Sequence, residues 1–481
     1  MTTASSRTAR RTPAMNALAR AVPMRALARA VPMMSALARA VLRAAPPLGL
    51  AIALGCGGVL AIAPGTAVAA KKAKIQKTSF KAPRAASAAA AASAAALAAS
   101  SVSPPANSGL VPRSASAEAE DALAGIFKAI ENNKLDDALK QTDALIASKP
   151  NYRLAYLIKG DLLLARSRSL SGMGAMPGAP ADKVADLRAE ALQRLRAYRE
   201  KPPVDAIPRY LLQMRPDQKH AIVVDTKKSR LYVYANDNGR PRFVADYYMT
   251  HGKNGIDKFR EGDQKTPLGV YYVTSHLPKN KLADIYGAGA FPINYPNDWD
   301  KRQGRGGHGI WLHGVPADTF ARAPLASDGC VALSNADLEM MGKNIDVGLT
   351  PVIISDKVEW LSLDDWNADR EGLLKAIDQW RRDWESRDTE AYLSHYARDF
   401  EGDGMSLKEW STRKRQVNGA KTWIKVELGN MDVFRYPGHE EMVVTTFQQD
   451  YSSSNLSNSM KKRLYWIKEG GKWKIVDEGA A

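Results

Sequence analysis

Ser327-Asp328-Gly329-Cys330-Val331-Ala332-Leu333 is the stretch that decides how this chain is read, together with Ile310-Trp311-Leu312-His313-Gly314, whose histidine stands seventeen residues before the cysteine. The chain holds two cysteines, and the other, Cys56, lies in an apolar N-terminal stretch patterned like a segment cut away on export. An exported chain with one cysteine left cannot close an internal disulfide, so the Cys330 thiol stays free. A lone cysteine is ordinarily a small core residue. Here a glycine precedes it and a His-Gly pair lies upstream, which points to a nucleophile and its base.

Alternate side chains of a strand share a face. Trp311 and His313 therefore point one way, and His308, Ile310 and Leu312 the other. A metal site needs three or four convergent N, S or O ligands, and the chain has no His-x-His, His-Glu-x-x-His or Cys-x-x-Cys pattern. No metal and no cofactor is called for. A thiol of ordinary pKa, ~8.5, is mostly protonated at neutral pH. A neighbouring imidazole takes that proton, giving a thiolate–imidazolium pair. His313 is the candidate general base, with a structural strand histidine as the alternative.

These motifs resemble the L,D-transpeptidase catalytic domain, the penicillin-insensitive peptidoglycan cross-linking family. Its signature is His-Gly, a spacer of about this length, then Ser/Thr-x-Gly-Cys and an apolar residue. His313-Gly314 and Ser327-x-Gly329-Cys330-Val331 match it position by position. Lys265-Thr266-Pro267-Leu268-Gly269-Val270-Tyr271 is similar to the family's entry into a strand, and Ala290–Asn297 to the segment before the His strand. The likeness covers residues 218–356. Two positions depart from it. Asp328 stands where a His often precedes Gly-Cys, and Ala332 where Arg or Asn often follows. A second catalytic His is thereby excluded, and the usual anchor of substrate or loop at 332 is missing.

The resemblance implies that Cys330 is the nucleophile and His313 its base, with Ser327 and Gly314 at the positions that orient the imidazole. Gly329 lets the chain approach substrate without a Cβ, so the amides of Gly329 and Cys330 are candidates to hold an oxyanion. Trp311, Asp328 and Tyr295 are candidate substrate-binding residues, Asp328 as a ligand of backbone or acceptor amine rather than a base. The implied substrate is a peptidoglycan stem tetrapeptide, whose third residue is joined to a terminal D-alanine. Cys330 would expel the D-alanine and hold a thioester. A second stem's amine then gives a cross-link, a lipoprotein lysine an anchor, and water a trimmed tripeptide. A non-catalytic peptidoglycan-binding scaffold is the alternative of a different class.

Composition sets the surroundings. The 481 residues allow several domains. The net charge of +17 invites a nucleic-acid reading, yet fifteen of the positive charges fall in residues 1–113, which hold no Asp or Glu. The rest is nearly neutral, so a phosphate-binding groove is not expected. Residues 1–70 read as a signal peptide or a membrane anchor: Leu48–Ala63 is uncharged, basic residues precede it, and Ala67-Val68-Ala69 is a small-residue cleavage pattern. The expected location is the periplasm or cell envelope, with membrane contact only through an uncleaved N-terminal segment.

Residues 71–115 are an Ala/Ser/Pro-rich linker expected to be disordered. Residues 116–203 switch to helical period and resemble a single tetratricopeptide repeat, or a plain helical bundle packed on the next domain. Residues 216–357 are β-rich. In 369–481, Leu373, Leu374, Ile377, Trp380, Trp384, Tyr392, Leu393, Tyr396 and Phe400 line a helix pair, and strands follow. That order resembles the nuclear transport factor 2-like cone. The fold expected is multidomain α+β. Helical part, L,D-transpeptidase domain and cone in this order resemble the L,D-carboxypeptidases that trim stems in helical bacteria.

Overall fold

The computed structural model describes residues 113–481 apart from 171, 204 and 440. The expected leader, and the linker up to residue 112, lie outside the described residues. The last linker residues are not loose: Ser114 caps helix α1 (Ala115–Glu131) by accepting the Ala117 amide. Helices α2 (Leu135–Ser148), α3 (Arg153–Ala165) and α4 (Ala181–Arg199) follow. They share one core built on Leu123, Ile126, Leu145, Leu154 and Ile158. Among the described residues no helix is long and apolar enough to cross a membrane.

The β-rich part is built on a five-stranded sheet, ordered Arg240–Tyr248, Arg230–Asp237, His220–Asp225, Pro351–Ser355, Gly269–Tyr272. Its middle strands read as unbroken apolar runs because both faces are covered. Ile222 and Val224 face one core with Tyr271, Leu312 and Val331. Ala221 and Val223 face another, which they share with Phe434, Tyr436, Val444, Tyr465 and Val476 of the C-terminal part. The two parts are therefore joined through a common core.

Polar contacts fix that joint. Asp432, fully buried, accepts from Gln218 Nε2 at 2.9 Å and Tyr272 Oη at 3.0 Å. Leu211–Gln213, which precedes the catalytic strands in sequence, pairs with Ile424–Arg435 as the edge of the seven-stranded C-terminal sheet.

In the C-terminal part the aromatic run is core, with Trp380, Trp384, Tyr392, Tyr396 and Phe400 in one cluster. Its local structure departs from expectation. The first helix runs from Leu363 to Ser386, six residues earlier than expected, with Ser362 accepting the Asp365 amide at its N-terminus. Arg387 takes a left-handed φ of 67° and ends it. The second helix is only Thr389–Leu393, so Tyr396 and Phe400 lie on the strand Tyr396–Gly402. A further helix, Leu407–Gly419, was not expected from period, because few of its residues are apolar. Its signal is the Ser406–Glu409 capping box.

Candidate active site

Two short parallel pairings meet at the motif. Trp311–His313 runs beside Val331–Ala332, with His313 level with Ala332. Leu325–Ser327 runs beside His251–Gly252. Asp328, Gly329 and Cys330 form the link between them. Gly329 has φ +122°, and a Cβ there would stand 2.6 Å from the Lys265 carbonyl oxygen, so the turn requires glycine. The Ser327 hydroxyl donates to the Cys330 carbonyl at 2.6 Å and accepts the Gly329 amide at 3.2 Å. Thr266, from the Thr-Pro-x-Gly motif, donates to the Gly329 carbonyl at 2.9 Å and accepts the Gly252 amide.

Two expected roles change in consequence. Ser327 braces the cysteine loop instead of orienting the histidine. The Gly329 amide is engaged inside the loop, which leaves the Cys330 amide as the candidate oxyanion donor of the two.

His313 is 3 % exposed. Its Nδ1 lies 2.6 Å from the Gly314 carbonyl, an acceptor only, so Nδ1 carries the proton and Nε2 keeps its lone pair. Burial holds its pKa down to about 4; the Gly314 bond opposes this and the charge of Arg322 adds to it. The half-buried Cys330 donates to the Gly309 carbonyl at 3.4 Å. Burial pushes its thiol up; the Trp311 amide, Lys258 and Arg322 favour thiolate, and Asp328 opposes it. Desolvation thus disfavours the charged form of both groups, which works against the expected ion pair.

The other candidates divide. Trp311 is half-buried under the Tyr286 ring at 4.8 Å, and Tyr286 also meets the His313 ring edge-on at 5.2 Å. Tyr286 was not singled out from sequence, since nothing in its own neighbourhood marks it. Asp328 is exposed and accepts from Lys253 Nζ at 2.9 Å and Gln264 Nε2 at 3.1 Å. Tyr295 is not a substrate wall: it is buried in the core and its hydroxyl donates to the Gly306 carbonyl. His308 lies before the strand, exposed, 3.6 Å from Glu261. Among the described residues no three His, Cys, Asp or Glu side chains cluster to hold a metal.

A second concavity, about 240 Å³, opens in the C-terminal part and is lined by Trp384, Trp410, Lys414, Tyr451, Lys462 and Glu478. Lys414 Nζ lies 4.2 Å from the Trp410 ring centre and 4.9 Å from that of Trp384. Burial brings its pKa down to about 8. Lys462 and Tyr396 both bond to Glu478.

Residues 219–354 match the family model of the L,D-transpeptidase catalytic domain, and residues 372–479 that of the Cds6 C-terminal NTF2-like domain. Among solved structures the chain is similar to Bd1075 of Bdellovibrio bacteriovorus, at 30% identity and a TM-score of 0.52, over 58% of this chain and 98% of that one. It is also similar to a variant of the helical cell shape determining protein Pgp2 of Campylobacter jejuni, at 29% identity and a TM-score of 0.50, over 56% and 93%. No curated protein sequence matches it. With its motif residues on one loop and the strand beside it, and its likeness running through nearly the whole of Bd1075, the chain belongs to the L,D-transpeptidase family, in the branch that carries a C-terminal NTF2-like domain.

Proposed function

We propose that this chain is a peptidoglycan L,D-transpeptidase working through a thioester on Cys330. The Cys330 sulfur attacks the carbonyl carbon of the third stem residue while His313 Nε2 takes the thiol proton. The carbonyl oxygen becomes an oxyanion beside the Cys330 amide. The carbon–nitrogen bond then breaks, the imidazolium returns its proton to the leaving amine, and D-alanine departs. An incoming amine attacks the thioester, again losing its proton to His313, and regenerates the thiol.

The observation that carries this reading is the His313 ring. One nitrogen is committed to the Gly314 carbonyl, and the other is unprotonated at neutral pH, on a strand paired with Val331–Ala332, which directly follows Cys330. The substrate implies an envelope location, with stem peptides and glycan strands as partners and a second stem or a lipoprotein as acyl acceptor.

One observation favours a second reading, in which water is the acceptor and the product a tripeptide. Asp328, the residue placed to attract an amine, is already paired with Lys253 and Gln264. The chain would then be an L,D-carboxypeptidase. In either case the Lys414 cavity suits a carboxylate-bearing stem, so the C-terminal part would hold the wall while Cys330 reacts.

Purified tetrapeptide muropeptides, incubated with the full folded chain and separated by mass, test the assignment. Dimers joined between third residues support transpeptidation, and tripeptide monomers alone replace it with carboxypeptidation. A carbapenem adduct that persists in Cys330→Ala would dismiss Cys330 as nucleophile. No adduct and no turnover would leave the non-catalytic scaffold.

A further inference from the structure

The segment between His313 and Ser327 is held from two sides by parts of the molecule outside the motif. Phe320 inserts into the core of the helical part, its ring 4.7 Å from that of Tyr152. Its amide donates to the Asn151 carbonyl at 3.1 Å, and Asn151 Nδ2 donates to the Ala317 carbonyl at 3.2 Å. On the other side Tyr248 Oη and Thr250 Oγ1 both donate to the Arg322 carbonyl, at 2.9 and 3.2 Å. The Tyr248 ring in turn packs under the buried guanidinium of Arg194 at 4.0 Å, which is paired with Glu190 on α4. The backbone of Arg322 is thereby fixed.

From that anchor the Arg322 side chain reaches the Ile285 carbonyl at 3.3 Å. Ile285 adjoins Tyr286, whose ring lies on Trp311 and His313. The guanidinium therefore sits at the edge of the catalytic pair, and its charge acts on both His313 and Cys330. Other buried cations of the catalytic part have carboxylate partners: Arg230 has Glu120 and Lys258 has Asp263. Arg322 is half-buried, and among the described residues it makes no ion pair with a carboxylate; Asp318, the acidic group nearest in sequence, is paired with Arg153, and Asp328 is engaged by Lys253 and Gln264. A guanidinium has five donors in a planar fork that fits a carboxylate, and a partly dehydrated one left without an anion is costly.

We propose that Arg322, seated by the helical part, clamps the free carboxylate of the residue that the reaction expels, and so restricts the enzyme to bonds whose leaving residue is the end of its stem. The inference rests on the acyl-transfer reading above. In that reading His313 protonates the leaving nitrogen, and the carboxylate of a terminal amino acid is attached two bonds from that nitrogen. A cation close to both His313 and Cys330 meets it. A stem that continues beyond this residue, or ends in an amide, offers no charge to the fork.

The test uses the full folded chain as wild type, Arg322→Ala, Arg322→Gln and Arg322→Lys. The substrates are a tetrapeptide muropeptide with a free terminal carboxylate and the same compound with a terminal amide. Wild type is expected to prefer the acid by ~10–100-fold in kcat/KM, the range for a lost charged hydrogen bond. Arg322→Ala and Arg322→Gln should lose that preference, the acid falling by more than any change the lost charge brings to both substrates alike, and Arg322→Lys should keep part of it. Equal losses on both substrates, or an undiminished preference, would overturn the clamp. Binding of the two peptides to Cys330→Ala, with and without Arg322→Gln, reads the clamp independently of turnover. An acid preference in binding that Arg322→Gln abolishes supports it; one that survives, or no preference at all, overturns it. If that binding preference exists but wild type processes neither peptide, the acyl-transfer reading fails and the carboxylate site stands.

Discussion

The His313 ring and the Lys414 cavity are two answers to the same problem, a titratable group held largely away from water. His313 sits on a short strand and meets its orienting partner one residue away, at the Gly314 carbonyl. Lys414 sits on a helix and is surrounded by groups from residues 384 to 478, against which its ammonium lies over aromatic faces. In the first, desolvation leaves a neutral base with one free lone pair. In the second, burial lowers the pKa to about 8 but leaves much of the charge in place at neutral pH. Local bonding leaves a free lone pair, and distant packing leaves a cation held over aromatic faces.

The largest effect that would sharpen this contrast is at Cys330. Cys330→Ala is expected to abolish thioester formation and turnover while leaving the melting temperature near that of wild type. Intact mass after incubation with substrate or carbapenem checks it, and residual turnover above background would break the assignment. His313→Ala should come next, with ~10²–10⁴-fold lower kcat, the usual contribution of a general base. Near-normal kcat at equal folded fraction would move the base elsewhere.

Acid should weaken the fold around His313. His313 and His251 are buried, and each has a pKa lowered to about 4, chiefly by desolvation. The unfolded chain binds these protons near pH 6.5 and the folded one only near 4, so stability is present above 6.5 and is lost as pH falls through that window. At pH 5 each group should cost about 2 kcal/mol relative to pH 8. Urea titrations at the two pH values measure it, and His251→Gln should remove about half of the loss these two histidines contribute together. The smallest effect is expected at Lys414. Lys414→Met should leave kcat/KM on soluble muropeptides within twofold and weaken binding to intact sacculi several-fold. Unchanged sacculus binding would remove the wall-holding role. Deleting the C-terminal part would not be a fair substitute, because Ala221, Val223 and Tyr232 share its core.

What was legible in sequence follows the same division. Cys330, Gly329, His313 and Gly314 lie in two contiguous motifs, and their positions on one loop and one strand could be read from spacing. Ser327 was found but its role was not, since a hydroxyl's choice between an imidazole and the Cys330 carbonyl depends on loop geometry. Tyr295 read as a site residue because an aromatic near a motif looks the same whether it faces substrate or core. The Leu407–Gly419 helix escaped a search for apolar period, although Ser406 and Glu409 announced its start. Arg322 and Tyr286 escaped altogether. Each reaches the site through contacts with segments far away in sequence, and no local pattern carries that information.

The edge strand Leu211–Gln213 has a consequence for how the molecule is made. Gln213 bonds to Met431, 218 residues further on, so that sheet edge stays unfilled until nearly all of the chain has left the ribosome. A contact so distant in sequence forms slowly, and until it forms the unpaired strand is exposed to other chains. This architecture therefore favours a chain that folds once, whole, after its synthesis is nearly complete.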